Sequence, residues 1–545
     1  MAILISLLGR AQRSRPTTIH DPLPHCTLTN ASPSLLFLHC PIHLGLPHPT
    51  RMSAPETAPL LHSTMPISLP LTPSALSDTN NNNKHWTKPL ILSVSICCLA
   101  SIQYGFHMSE LNAPAHYIRL SLGLTQSQLG LITSVFSIGG LLSSTFASYL
   151  STNYGLRVSF IVTSLFYILG SFIESQCHDY NSMLLGRFCS GMGGGLAIVY
   201  VPIYMNDISP VALRGILGSM TQISVNFGIL LAQCLALKWN DIQQWRKILD
   251  IGWIIGVLQL ISVAMILVES PKWLIVRNGN SGTSSELNHE AGRAILHRLR
   301  GAHVSPMDIK EEINVWEVEK QQHLRLIESQ PHLRKLGFWY YLSDETYFNS
   351  RTIATFMMLG QQFAGINSVI FYGVDILNKV FPTYAVLANI VISIGNMVIT
   401  AISSTFMDRL GRRPLLLSSL ALMGISLVIL SVGILSSNSI LSVVSIFTYV
   451  GSFAIGCGPI PFLIVSEVSQ IEVKDVAQSW ATDCNWVSVF IIGTMFPIMN
   501  SLIGGWTYLI FASVCAAFAA FVYFFVPETK GCATYDEVWG VTRNE

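Results

Sequence analysis

The chain has 545 residues, half of them apolar and only 11% charged, where a soluble domain carries about a quarter charged residues. With mean hydropathy +0.49 and net charge +1, the composition excludes an ordinary soluble domain and gives no reason to expect nucleic acid or an acidic partner. The eleven cysteines are scattered, most of them inside apolar stretches such as those holding Cys97, Cys98, Cys189, Cys457 and Cys515, with neither a disulfide framework nor a metal spacing.

In chain order, residues 1–84 are dominated by Pro, Ser, Thr, His and Asn and read as a disordered cytoplasmic tail. Arg10, Arg13 and Arg15 without a neighbouring acid share a feature of mitochondrial targeting sequences, although an extension without function fits them better. A bilayer core about 30 Å thick takes about 20 apolar residues per helix. Twelve segments meet that test: 89–112, 127–150, 158–175, 181–205, 216–237, 248–268, 352–378, 384–406, 414–435, 440–466, 478–501 and 506–526. They divide the chain into a first bundle (85–268), a polar linker (269–350), a second bundle (351–526) and a short cytoplasmic tail (527–545).

The linker's apolar residues recur at helical spacing in "SSELNHEAGRAILHRLRG" and "DIKEEINVWEVEKQQHLRLIE", so it is expected to form cytosolic helices between the bundles. If the N-terminus is inside, cytoplasmic loops receive Arg157, Arg214, the basic stretch from Lys272 to Arg351, Arg409, Arg412, Arg413 and Lys474. The other face receives only Arg119, Lys238, Arg246, Lys247 and Lys379. The positive-inside rule then places both termini in the cytoplasm. The halves also echo each other: "NYGLRVS" and "DRLGRRPLL" follow spans two and eight, "DISPVALRG" and "EVSQIEVKD" follow spans four and ten, and "VESPKWL" and "VPETKG" follow spans six and twelve. Such pairing indicates a duplicated six-helix unit, two bundles able to rock about a central site.

An amide buried in hydrocarbon costs on the order of a few kcal/mol unless it is partnered, so polar side chains within spans face the bundle interior. Span seven supplies Gln361, Gln362 and Asn367, donors and acceptors suited to an uncharged, hydroxyl-rich solute. On an unbroken helix Gln361 and Asn367 point about 120° apart, so Gly365 between them is the expected place for the helix to bend.

From Lys88 to Gly531 the chain resembles the sugar porter family of the major facilitator superfamily. The resemblance rests on "GRFCSG" (186–191), "DISPVALRG" (207–215), "VESPKWL" (268–274), "GQQFAGINSVIFYG" (360–373), "DRLGRRPLL" (408–416), "GPIPFLIVSE" (458–467) and "PETKG" (527–531). It implies an all-α membrane protein, twelve transmembrane helices in two pseudo-symmetric six-helix bundles, moving a sugar or polyol by alternating access, passively or linked to protons. Residues that the family places around the sugar correspond to Gln222, Asn396, Asn485 and Trp486. Phe371 and Tyr372 correspond to an outer aromatic gate. Arg187, Asp207, Arg214, Asp408, Arg412 and Glu467 correspond to a cluster of ion pairs at the inward face.

Departures from the pattern are specific. Thr152, Leu156 and a single Arg157 stand where the family usually has an acid and two arginines, and Lys474 replaces an arginine. Ala454 replaces a glutamate, and Phe462 a tryptophan whose indole lies beside the sugar, which removes an N–H donor. His107 stands where proton-coupled members carry aspartate and facilitators asparagine, with Glu110 three residues on. The pair would either exchange a proton linked to solute binding or hold the first span in place.

Two other functions compete: a non-transporting sugar sensor, and a carrier of another polyhydroxylated solute. A sensor is expected to have a long cytoplasmic output, whereas about 18 residues follow Pro527. The residues give no GxxxxGK[ST] loop, HExxH or CxxC, so no catalysis, metal or cofactor is expected. Partners are then the solute, possible protons and the lipid of a plasma membrane or of an intracellular, for example vacuolar, membrane.

Overall fold

The computed structural model describes residues 86–277, 283–301, 304–329, 338–379, 381–530 and 535–539. The N-terminal tail expected to be disordered, 1–84, lies outside them, as do 531–534 and 540–545 of the C-terminal tail. Eleven helical segments are long and apolar enough to cross a bilayer, and the longest, Lys474–Phe525, turns at Gly504 into two. The described residues therefore hold the twelve expected spans.

The first half comprises α1 (Lys88–Ser109), α2 (Gln126–Tyr154), α3 (Leu156–Ser175), α4 (Tyr180–Ile208), α5 (Arg214–Trp239) and α6 (Arg246–Met265). The second comprises α7a (Phe348–Phe363) and α7b (Ile366–Asn378), α8 (Ala385–Leu410), α9 (Arg412–Leu435), α10a (Ser439–Ser452) and α10b (Ile460–Glu467), α11 (Lys474–Ile503) and α12 (Thr507–Phe525). Local chemistry sets several starts. Thr87 caps α1 by accepting from Leu90 N–H, Thr125 and Gln128 form a capping box at α2, and Asp179 caps α4 through Asn181 and Ser182. Exposed apolar side chains such as Leu142, Phe146, Leu165, Leu258 and Phe524 make the surface that lipid would cover.

Two spans are broken, each for a readable reason. Gly365 adopts φ 96°, ψ 13° between α7a and α7b, a left-handed conformation in which a side chain would meet the Phe511 ring. Span ten passes through a π-helical turn, Phe453–Cys457, before Gly458 and Pro459 start α10b. Pro461 has no N–H to offer Cys457 O, so that carbonyl needs a partner from elsewhere.

Between the halves lie the helices Thr283–Arg300 and Pro306–Ser329 and the short Phe338–Ser343. Arg300 fastens the first pair: its Nε and Nη2 donate to Glu312 at 3.0 and 2.6 Å, and its Nη1 donates to Ile208 O at the end of α4 at 2.7 Å. Thr87 donates to Leu299 O, so the linker helix also rests on the start of α1. The end of the bundles that carries these helices is the linker face; the loops 110–125 and 176–179 mark the outer face. Hydrogen bonds joining the halves run from mid-span to the outer face. Among the described residues they include Asn226 Nδ2 to Thr400 Oγ1 (3.1 Å), Asn396 Nδ2 to Asn226 Oδ1 (3.4 Å), Ser393 Oγ to Gln233 Oε1 (2.7 Å), Ser134 with Thr494 (2.6 Å) and two between Asn112 and α7b, one donated and one accepted by its amide.

Candidate solute site

Midway between the halves lies a cavity of about 170 Å³. Seven of the eight residues expected around the solute line it: Gln222 from α5, Gln361 and Gln362 from α7a, Asn367 from α7b, Asn396 from α8, Phe462 from α10b and Asn485 from α11. None of its described lining residues carries a formal charge.

The break at Gly365 brings the amides of span seven together, and Asn367 Nδ2 donates to Gln362 Oε1. Gln362 Nε2 donates to Gln361 Oε1 at 3.3 Å, which also receives Asn485 Nδ2 at 3.1 Å. Gln361 Nε2 in turn donates to Cys457 O and Gly458 O, both at 2.8 Å. The glutamine thus satisfies the carbonyl that Pro461 leaves open, tying α7a to the break in span ten. These amides bond to one another and still border open space, an arrangement in which each can exchange a partner for a hydroxyl.

Trp486 is placed differently from expectation. It does not line the cavity but packs edge-on against Tyr104 (6.1 Å) and Phe136 (6.2 Å), over Gly140, where a Cβ would lie 2.7 Å from its ring. It seals α11 to the first half. Phe371 and Tyr372 are also buried outside the cavity lining, and Tyr372 donates its hydroxyl to Gly493 O at 2.8 Å.

Several lining residues were not singled out from the sequence: Tyr104, Asn226, Gln233, Asn389, Ser393 and Thr400. Asn226 Oδ1 faces the amides of Gln222 (3.5 Å) and Asn396 (3.4 Å). The signal that could have found Asn226, Gln233 and Asn389 is the rule already used on span seven, applied to every amide within a span.

Arg187 requires a correction. Expected at the inward face, it lies near the start of α4, about 30 Å along that helix from Asp207. Its Nη1 donates to Glu110 Oε1 at 2.7 Å and to His107 O at 2.8 Å, and lies 3.9 Å from Glu174 Oε2. Its guanidinium sits 4.8 Å over the Phe136 ring. His107 Nδ1 is 2.9 Å from the same Glu110 oxygen, and its ring stacks on Tyr167 at 5.0 Å. Ser190 donates to Glu174 at 2.6 Å. All four ionisable side chains are fully buried. Two carboxylates around one guanidinium leave one uncompensated negative charge, which a single proton on the cluster neutralises.

Asp207, Arg412 and Glu467 lie at the linker face, as expected of the inward cluster. Asp207 accepts from Ser270 Oγ at 2.7 Å, and Glu467 lies 3.4 Å from Arg412 and accepts from Thr529 at 2.5 Å. Arg214 is exposed. The Asp408 side chain lies outside the described residues. Sequence reasoning missed two carboxylates here, although their motifs were in view. Glu269 accepts from the Leu156 and Arg157 N–H groups opening α3, and Glu528 from the Arg412 and Arg413 N–H groups opening α9. Burial pushes the Glu269 carboxyl above its ordinary range, against the pull of those N–H groups.

Two six-helix bundles enclosing a neutral cavity define a secondary carrier of the major facilitator fold. Residues 82–539 match the family model "Sugar (and other) transporter", and the chain belongs to that family. It is 40% identical over 489 residues to a probable metabolite transport protein of Saccharomyces cerevisiae, covering 84% of this chain and 98% of that one. It is 35% identical over 476 residues to vacuolar protein sorting-associated protein 73 of the same yeast, covering 82% and 96%. Rat facilitated glucose transporter member 3 is 29% identical, covering 83% and 92%. The fold matches the inward-open xylose transporter XylE from E. coli with TM-score 0.68 at 21% identity, covering 82% of this chain and 98% of that one.

Proposed function

We propose that the protein moves a neutral, polyhydroxylated solute, a sugar or polyol, across a membrane by alternating access, with both termini in the cytoplasm. The observation that carries this reading is the central cavity, bordered by amides from both halves and by no charged side chain among its described lining residues. A charged solute would find no counter-charge there, whereas amides both give and accept hydrogen bonds as hydroxyls require. Gln222, Gln361, Gln362, Asn367, Asn396 and Asn485 are the proposed solute contacts, with Phe462 as the apolar wall. Phe371 and Tyr372 act as parts of the outer gate. Asp207, Arg214, Asp408, Arg412 and Glu467 act at the inner one. Two yeast relatives are named for metabolite transport and vacuolar sorting, which supports an intracellular membrane as the site of action.

Proton linkage is a second reading, favoured by the buried cluster: His107, Glu110, Glu174 and Arg187 reach neutrality by holding one proton. Uptake of D-glucose, D-xylose and sorbitol into proteoliposomes tests both. Saturable uptake of at least one is expected, with its KM raised about tenfold in Gln222→Leu, the effect of one lost hydrogen bond. Absence of saturable uptake by folded protein for all three rejects the carrier reading. With the outside acidic, accumulation beyond equilibrium that is lost in Glu174→Gln while exchange persists supports the proton link; uptake that only equilibrates rejects it.

A further inference from the structure

Asn112 follows α1 on the outer face and is 1% exposed. Its Nδ2 donates to Ile370 O at 2.7 Å, and its Oδ1 accepts from Val374 N–H at 2.9 Å. That carbonyl and that N–H are four residues apart on α7b, the pair an unbroken α-helix joins to each other. Between them Tyr372 leaves helical geometry, with φ −131° and ψ 16°.

We infer that Asn112 is a positioning residue for the outer gate: its amide, reaching across from the first half, stands in for α7b's own hydrogen bond at the Tyr372 kink and pins that half-helix inward. The inference rests on the alternating access proposed above. Two arrangements satisfy every polar group. With α7b kinked, Asn112 holds both ends of the gap. With α7b straight, Ile370 O and Val374 N–H close on each other, and the released amide meets water at the opened outer face. Neither arrangement strands a buried donor or acceptor, so the exchange carries only the small net difference between sets of neutral hydrogen bonds. The fit is close, since a Cβ on Gly373 would lie 2.7 Å from Asn389 Oδ1 and 3.5 Å from Asn112 Nδ2. Because α7b also carries Asn367, the pin sets where that solute contact stands.

Labelling of a cavity cysteine tests the pin without any solute. Ile392→Cys places a thiol at a cavity-lining, buried position, and a charged maleimide applied at the outer face reaches it only when the outer gate opens. The chain without this substitution sets the background from its own cysteines. Adding Asn112→Ala, which removes both bonds, is expected to raise the labelling rate about tenfold. Adding the near-isosteric Asn112→Asp, which sets a carboxylate oxygen against Ile370 O where the amide donated, is expected to raise it at least as much. A thiol at Ala454→Cys, also lining the cavity, should become slower to label from the linker face in the same variants, a change that mere loosening of the fold would not produce. Equal rates in all three forms overturn the inference, and if Asn112→Ala does not fold, Asn112→Asp alone decides it on the same terms. A wild type that moves no sugar rejects the carrier reading and leaves the labelling to judge Asn112.

Discussion

The two halves bury different chemistry. Buried acidic and basic side chains among the described residues belong to the first half (His107, Glu110, Glu174, Arg187 and Asp207) and, with Arg300, to the linker helix packed on it. The buried polar residues of the second half are serines, threonines, asparagines and glutamines. The two halves therefore share a backbone plan while their interiors differ: both present amides to the cavity, but only the first also buries a cluster of charges. A charge can stay inside only while its counter-charges do, whereas amides can trade partners.

The largest test of that contrast pairs Arg187→Leu with Gln361→Leu. Arg187→Leu strands two carboxylates, and breaking a buried ion pair in this way costs about 3–5 kcal/mol. Gln361→Leu leaves two carbonyls short of a neutral donor, a loss of about 1–3 kcal/mol. Thermal unfolding in detergent should rank them in that order, and a near-normal Arg187→Leu would mean that the cluster is already discharged by protonation.

At the linker face, by contrast, the halves match bond for bond. Glu269 accepts from the N–H groups of Leu156 (2.9 Å) and Arg157 (3.2 Å), and Glu528 from those of Arg412 (3.0 Å) and Arg413 (3.1 Å). Ser270 and Thr529, each the next residue, donate to Asp207 and Glu467. Arg157 and Arg413 donate to Ala264 O and Tyr523 O. Gly155 and Gly411, at φ 84° and 91°, turn the chain so that both helices present their first N–H groups to the carboxylate. Replacing either glutamate by glutamine should cost about 1–2 kcal/mol, the difference between charge-assisted and neutral bonds at a helix start. Glu269→Gln should cost less than Glu528→Gln, because burial already disfavours the Glu269 charge; the same unfolding measurement compares them.

How much of this was legible follows from the range of each interaction. Twelve spans were legible because apolar length is a local property, and the break at Gly365 because angular arithmetic required it. Gln222, Asn396 and Asn485 were found through motif position, and the structure sets them on one cavity. Trp486 was placed wrongly because a motif gives a residue's position along its helix but not which neighbours surround it, and Arg187 because the motif was followed although span four starts at the outer face, with Arg187 near that start. Trp486 turns to Tyr104 and Phe136, and Arg187 to acids on α1 and α3. Glu269 and Glu528 escaped notice because their partners are backbone N–H groups, which every sequence has.

The smallest effect bears on a position where the matched clamps carry side chains of different charge. Leu156 and Arg412 both begin a helix and both give an N–H to a glutamate, but Leu156 is packed in the core while Arg412 reaches Glu467 at 3.4 Å. A carboxylate holding a backbone N–H cannot sense the side chain attached to it, so this position was free to diverge. Arg412→Leu makes the second copy resemble the first and should leave the Glu528 clamp in place. Its side chain and that of Glu467 are 17% and 25% exposed, so the lost pair is worth about 0–1 kcal/mol and should vanish from the comparison with wild type in 1 M salt. A loss of about 3 kcal/mol or more, insensitive to salt, would instead make the ion pair a structural bond, and the equivalence of the two clamps would fail.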